Sequence, residues 1–375
     1  MKVLFAGGGG TGGHFYPIVA IARALRNITE REHIISMDMF FAADSAFDDA
    51  ILREENIHFI RIPAGKMPRY ASFSYIVSPF KIIFGILIAF WRLYALLPDV
   101  VFSKGGYSAF PVLVAVRILR IPVIIHESDS VPGKVNEWAG KWASRVAISF
   151  SETAQYFKNT NIELTGNPIR HQVVGGNPEE ALETFLLEEN IPIILVLGGS
   201  QGAEIINEAM TEIIADAVPR YQIIHQTGKN NFEDISGRAG VILEKSELRH
   251  RYHAYPFLSE GDLRNASRVA SIVISRAGSG SIFEIAAWRI PAILIPLGIA
   301  AQDHQRENAY AYARFGGCEV IEEGNLKPHI LLSTIDKMLG DPEKMNKMKI
   351  AAQSFAKLDA AENIAREIIK LGVHE

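Results

Sequence analysis

One cysteine, Cys318, is the entire thiol content of this 375-residue chain, which excludes an internal disulfide framework and agrees with a reducing, cytoplasmic compartment. Basic side chains are not in excess: 38 Lys and Arg stand against 42 Asp and Glu, a formal charge of −4. A nucleic-acid binder normally carries a basic domain or stripe, so no nucleic-acid partner is expected. No long hydrophobic run is present either. The most apolar segment, Tyr75–Leu97, has Ile82–Trp91 as its longest uncharged stretch, half of the roughly 20 residues a bilayer-spanning helix needs. No Asp-x-Asp pair occurs, so the carboxylates with which a divalent metal would bridge a diphosphate to the protein are missing, and no metal or other cofactor is expected. Met1–Ala6 begins with a basic residue, but its apolar run is short and ends in glycines; it reads as a buried strand and not as a signal peptide.

What is present is a repeated alternation. Short runs rich in Val, Ile, Leu and Phe recur at Val3–Ala6, Met39–Ala43, Phe59–Pro63, Val100–Ser103, Val123–His126, Val146–Ser149, Ile193–Leu197, Gln222–His225, Val241–Glu244, Ile272–Ser275, Ala292–Pro296 and Glu319–Ile321, separated by helical patterns. Continuous apolar strands alternating with helices predict parallel sheets covered on both faces. At roughly 100–200 residues per domain the length suggests two. The expected class is α/β, with two Rossmann-like domains facing a cleft. The break is placed at Gly166-Asn167-Pro168, before the polar stretch Gly175–Glu180, giving domains 1–166 and 167–345 and a C-terminal helix in 346–375 that packs back on the first.

Two glycine-rich turns follow two of these strands and lead into apolar-periodic helices: Gly7–Gly13 with His14, and Gly198-Gly199-Ser200-Gln201-Gly202-Ala203. Backbone N–H groups converge at such turns and the helix N-terminus is partly positive, which suits phosphates and other anions. His14 sits at the mouth of the first helix, with Pro17 expected in its first turn, and an imidazole there can accept a proton from a hydroxyl. It can equally be a capping or packing residue. Asp38 and Asp44 flank the second strand, so the acidic residue of a dinucleotide-binding dehydrogenase is matched only ambiguously. After Ile272–Ser275 comes Arg276-Ala277-Gly278-Ser279-Gly280-Ser281-Ile282-Phe283-Glu284, where Ser279 or Ser281 can cap the next helix and Glu284 can accept from a ribose hydroxyl or merely favour the helix dipole. The run Gln302-Asp303-His304-Gln305 lies beyond another strand's carboxyl end, where open α/β sheets bind ligands. Tyr75–Leu97, with Lys66, Arg69, Lys81 and Arg92 nearby, reads either as a membrane-interface helix or as a buried helix pair.

Taken in order, Gly9–His14 with Pro17, Lys104-Gly105-Gly106-Tyr107, His126-Glu127, Gly166–Arg170, Gly198–Ala203, Arg276-x-Gly278 with Glu284, and Asp303-His304-Gln305 with Asn308-Ala309 resemble the family 28 glycosyltransferases, specifically the undecaprenyldiphospho-muramoylpentapeptide β-N-acetylglucosaminyltransferases among them. The resemblance spans residues 1 to about 310. It implies a GT-B fold and inverting transfer of N-acetylglucosamine from UDP-N-acetylglucosamine to a lipid-linked muramoyl pentapeptide in peptidoglycan synthesis, by a peripheral enzyme at the cytoplasmic face of an anionic membrane. It further implies that Thr11, Gly12 and Gly13 approach the donor sugar, that Arg170 and Ser200 approach the diphosphate or uridine, that Leu258 lines the uracil, that Ser279, Gly280, Ser281, Ile282, Phe283 and Glu284 hold phosphates and ribose, that Gln305 contacts the sugar, and that His14 is the candidate base. The chain departs from the family's usual His-Glu-Gln-Asn at His126-Glu127-Ser128-Asp129; an acid has fewer donors than an amide, so a sugar contact from Asp129 is in question. It also departs from Ala-Leu-Thr-x-Ser-Glu at Ser279–Glu284, so only backbone roles and Glu284 carry over. The alternatives are a glycolipid synthase acting on a diacylglycerol, a soluble UDP-N-acetylglucosamine 2-epimerase and a nucleotide-binding regulator.

Overall fold

The computed structural model describes residues 1–7, 12–33, 36–65, 74–158, 161–198, 202–298 and 303–373, with side chains from residue 80 onward in the helix that begins at Ser74. Thr11, Ser200, Lys66 and Arg69 therefore lie outside the described residues. The chain divides into two compact units, Met1–Ile169 with Lys357–Glu375, and Arg170–Ala356. The first division falls three residues beyond the expected 166.

The first unit comprises β1 (Lys2–Ala6), α1 (Gly12–Arg31), β2 (Asp38–Ala43), α2 (Asp49–Glu54), β3 (Ile57–Arg61), α3 (Ser74–Leu96), β4 (Val100–Ser103), α4 (Phe110–Leu119), β5 (Val123–Glu127), α5 (Lys134–Ala139), β6 (Arg145–Ile148) and β7 (Ile162–Leu164). Its seven strands run parallel in the order β3-β2-β1-β4-β5-β6-β7. Strand order reverses between β1 and β4, where Ala6 pairs with Ser103; a doubly wound sheet offers a ligand crevice at such a point, outside the strands' carboxyl ends.

In the second unit follow α6 (Pro178–Thr184), β8 (Ile193–Leu197), α7 (Glu204–Ala217), β9 (Gln222–Gln226), α8 (Phe232–Ile242), β10 (Tyr252–Tyr255), α9 (Glu260–Val269), β11 (Ile272–Ser275), α10 (Ser279–Trp288), β12 (Ala292–Leu294), α11 (His304–Phe315), β13 (Cys318–Val320), α12 (Pro328–Leu339) and α13 (Pro342–Phe355). Its six strands are parallel in the order β10-β9-β8-β11-β12-β13. The last helix, α14 (Ala360–Gly372), belongs to the first unit: Ala361, Ile364, Ala365 and Ile368 are buried with Ile21, Leu25 and Phe5 of α1 and β1, and Arg31–Glu362 and Arg366–Glu32 ion pairs flank that seam.

Three local expectations need correction. Val241–Glu244 is not a strand: Val241 and Ile242 close α8, whose buried positions Ile235 and Ala239, continued by Leu243, fall four residues apart on one helical face while Val241 is exposed. A short apolar run does not by itself distinguish the two periods. The edge strand is instead Tyr252–Tyr255, half-buried and partly polar, and so without an apolar signature. Pro17 lies in the second turn of α1, since that helix begins at Gly12.

Helix α3 is buried along one side only. Gly85 meets the Pro63 carbonyl, where a Cβ would not fit, and Ala89 and Leu93 join the core with Val112, Leu113 and Val116 of α4. The opposite side presents Phe80, Ile83, Phe84, Leu87, Trp91 and Tyr94 to solvent. Their spacing of three and four residues puts them on one stripe. Phe90 packs against that core and stacks on Tyr94. No described helix is long and apolar enough to cross a membrane.

Candidate functional site

In the first unit, polar groups gather where β1, β4 and β5 end. Lys104 follows β4, and its backbone N–H donates to the carbonyl of Ala6 (2.9 Å). Its side chain is buried; Nζ donates to Nδ1 of His126 (2.7 Å) and to Oδ1 of Asn167 (3.2 Å). With Nδ1 accepting, the His126 proton sits on Nε2, which donates to the carbonyl of Gly166 (2.9 Å). Thus Gly166 and Asn167, which sequence placed in the linker, are held inside the first unit. Glu127, also buried, accepts from the backbone N–H groups of Asp129 (3.0 Å) and Gly133 (3.1 Å) and from Nδ2 of Asn136 (2.9 Å). It staples the turn after β5, from which Asp129 projects half-buried.

Burial is the largest influence on Lys104, Glu127 and His14, because it disfavours charge. It lowers Lys104 to about 8, opposed by Glu127 and Asp129, and raises Glu127 to about 7, helped by the Asp129 charge. His14, in the first turn of α1, has a buried Nδ1 with no hydrogen-bond partner among the described residues. Burial and then the Lys104 charge push it down to about 4, against Asp129 and a hydrogen bond with the Lys104 backbone. At neutral pH His14 is therefore an uncharged imidazole. Gly12 and Gly13 open α1 in front of it, and a Cβ on Gly13 would meet nothing within 4 Å.

The second unit brings Arg170 and Glu284 together. Trp288 Nε1 on α10 donates to the carbonyl of Val173 (2.7 Å), fixing the segment that carries Arg170. Arg170 Nε donates to Oε1 of Glu284 (2.8 Å), and its Nη1 lies 3.5 Å from Oε1 of Glu260. Contrary to expectation neither serine is the N-cap of α10: that position is Gly278, and no side-chain cap bond closes the helix start among the described residues. The N–H groups that open this helix are accordingly left for another acceptor. Ile282 and Phe283 are core residues, Ile282 N donates to the Gly278 carbonyl, and Phe283 packs on Phe355, whereas Ser279, Gly280 and Ser281 open the helix.

Leu258 is fully buried and held by its N–H donating to Oε1 of Gln226 (3.0 Å). Gln305 accepts from the N–H of Leu297 (3.0 Å), which leaves its amide donors for other partners. Gly202 adopts a left-handed φ of 81°, and a Cβ there would run into the Thr227 carbonyl. Arg276, in contrast, is committed to Glu323 (2.6 Å). Among the described residues no group of three His, Cys, Asp or Glu side chains converges as metal ligands. Sequence reasoning quoted Lys104, His126 and Glu127 but gave them no role, and passed over Asn136, Gln226 and Glu260. The usable signal for the first three was a charged residue at the carboxyl end of an apolar parallel strand.

Two parallel-sheet Rossmann-like units, with α1, α7 and α10 opening beyond their strands' carboxyl ends, make a GT-B fold. Residues 3–148 match the glycosyltransferase family 28 N-terminal domain and residues 193–364 its C-terminal domain. The chain belongs to glycosyltransferase family 28. A relative from Thermodesulfovibrio yellowstonii, named UDP-N-acetylglucosamine–N-acetylmuramyl-(pentapeptide) pyrophosphoryl-undecaprenol N-acetylglucosamine transferase, is 38% identical with 97% of each chain covered. Among solved structures, MurG of Acinetobacter baumannii superposes with a TM-score of 0.75 at 24% identity, covering 99% of this chain and 100% of that one. A UDP-GlcNAc 2-epimerase of Neisseria meningitidis shares the fold with a TM-score of 0.68 at 15% identity, covering 99% and 100%.

Proposed function

We propose that this protein transfers N-acetylglucosamine from UDP-N-acetylglucosamine to a hydroxyl of the undecaprenyl-pyrophosphoryl muramoyl pentapeptide, with inversion, at the cytoplasmic face of the membrane. The observation that carries the reading is the relationship to the named transferase over 97% of both chains. The epimerases share only the fold, at 15% identity in the case above, and a soluble epimerase has no use for the exposed apolar stripe of α3.

In this reading the second unit holds the donor. The N–H groups opening α10 and the Arg170 guanidinium face the diphosphate, Glu284 accepts from the ribose, and Leu258 and Gln305 meet the uracil and the sugar. As the acceptor oxygen bonds to the anomeric carbon, the bond to UDP breaks and UDP leaves with that electron pair. Fixed donors stabilise the growing negative charge without reorganisation. Neutral His14 takes the acceptor proton, and Gly12 and Gly13 let the sugar approach the backbone. Asp129 has lost the amide donors of the family pattern and is assigned no sugar contact. The α3 stripe, with Lys81 and Arg92, docks the first unit on anionic lipid.

Incubation with radiolabelled UDP-N-acetylglucosamine and the lipid-linked muramoyl pentapeptide, followed by chromatography of the lipid phase, tests the proposal. Label entering that lipid is the expected result. Label entering only diacylglycerol, or label recovered in an epimerised sugar nucleotide, overturns it.

A further inference from the structure

Arg276 and Glu323 take no part in the donor and acceptor roles above, yet they meet beside a residue that does. Arg276 follows β11, Glu323 follows β13, and β12 lies between those strands in the sheet. Arg276 Nη1 donates to Oε2 of Glu323 (2.6 Å) and to the carbonyl of Ile295 (3.3 Å). The same Oε2 accepts from the backbone N–H of Gly298 (3.3 Å), and one residue earlier the N–H of Leu297 donates to Oε1 of Gln305 (3.0 Å). The ladder of β12 ends at Leu294, the N–H of Ile295 donates to the carbonyl of Ser275 (2.8 Å), and Pro296 has no N–H to give. Beyond Ile295, among the described residues, the Gly298–Glu323 bond therefore ties this segment to the body of the second unit, apart from the bond to Gln305 itself. Leu297 and Gly298 are exposed, so packing does not hold them in place.

We propose that Glu323 is a positioning residue for the donor sugar: it fixes the end of β12, whose Leu297 N–H in turn orients the Gln305 amide. A backbone N–H can bond only the oxygen of that amide, so the Leu297 contact leaves the amide's two N–H donors for a sugar hydroxyl or the acetamido oxygen. With the strand end loose, the amide is free to turn and offer an acceptor instead. The backbone of Gln305 is set separately, because Arg306 and Tyr310 of α11 donate to Oε1 of Glu322 at 3.0 and 2.7 Å. What Glu323 governs is the side chain's orientation. Arg276 keeps the carboxylate in place, and with side chains 15% and 23% exposed the pair is less screened than an ion pair open to water. The inference rests on the reading of Gln305 as a sugar contact.

Calorimetry of the full-length protein with UDP-N-acetylglucosamine and with UDP, which lacks the sugar, separates positioning from a general loss of structure. In Glu323→Ala the Kd of UDP-N-acetylglucosamine should rise about three- to tenfold, as for one lost hydrogen bond, while that of UDP stays within about twofold. Glu323→Gln keeps an oxygen for Gly298 and should retain most of the parent's preference for the sugar nucleotide. Arg276→Met combined with Glu323→Met removes both charges together and should show the same selective loss; it covers the case in which Ala leaves Arg276 unpaired and the protein does not fold. Because Glu323 acts through Gln305, adding Glu323→Ala to Gln305→Ala should weaken neither ligand further. A loss that UDP shares, no loss at all, or additive losses in the double variant each overturn the inference. Unchanged binding of both ligands by Gln305→Ala would end the sugar-contact reading itself, a failure that Glu323→Ala alone does not produce.

Discussion

Replacing Phe80, Phe84 and Trp91 together with serine should separate the membrane role of α3 from its structural role. The three side chains are 71%, 60% and 64% exposed, so most of their apolar surface already faces water in the folded protein. Complete burial of a large apolar side chain is worth about 1.5–3 kcal/mol; scaled by the exposed share, each contributes about 1–2 kcal/mol on entering lipid, and the three together about 3–6 kcal/mol if independent. That corresponds to a loss of about 10²–10⁴ in the vesicle partition coefficient. The fold should scarcely notice, since exposed substitutions usually stay within about 0.5 kcal/mol each. Sedimentation with phosphatidylglycerol-containing vesicles, beside urea unfolding of the same protein, provides both numbers. Lys81→Gln with Arg92→Gln should cost about 1 kcal/mol per charge and respond to salt, because surface potentials are screened within a Debye length. A triple serine variant that sediments like the parent would refute the docking argument and leave α3 as a packing element. Phe90 is a poor probe, because it packs on the core.

The remaining expectations concern the sites. Glu284→Ala removes the 2.8 Å partner of Arg170 and leaves Glu260 at 3.5 Å; calorimetry should show UDP affinity weakened by about 1–3 kcal/mol, and an unchanged affinity would end the ribose assignment. His14→Ala should lower turnover by about 10²–10⁴ with UDP affinity nearly intact, and equal losses in both would make it a donor-binding or structural group. Because folding lowers the His14 pKa from 6.5 to about 4, the unfolded chain binds the extra proton between those values. Its contribution to stability is therefore present above 6.5 and lost as pH falls through 4, and the acid limb of kcat/KM assigned to it should lie well below pH 6.5. Gly202→Ala should cost about 1–3 kcal/mol in chemical denaturation, since a side chain at φ 81° is strained before it meets Thr227; a smaller loss would show that the turn relaxes. Transfer measured with excess chelator should persist, because helix N-termini and Arg170 can carry the diphosphate charge; loss restored by Mg²⁺ would refute that.

The parallel-sheet class and most of the strands were legible in the sequence because a strand buried on both faces must be apolar throughout, and glycine turns mark where such strands feed helices. The same rule explains what escaped. Tyr252–Tyr255 pairs on one side only, at a sheet edge, and carries no apolar signature, while Val241–Leu243 has that signature and is the end of a helix. Residue types at the glycine turns pointed to the chemistry, but contacts between distant positions could not be read from order along the chain. Arg170 meets Glu284, Lys104 meets His126 and Asn167, and α14 returns to α1. The sequence determined which groups carry charge and which surfaces are apolar. Tertiary structure alone decided that one face of α3 stays uncovered and that Lys104 loses its water, since exposure and desolvation depend on what the rest of the chain places around a residue.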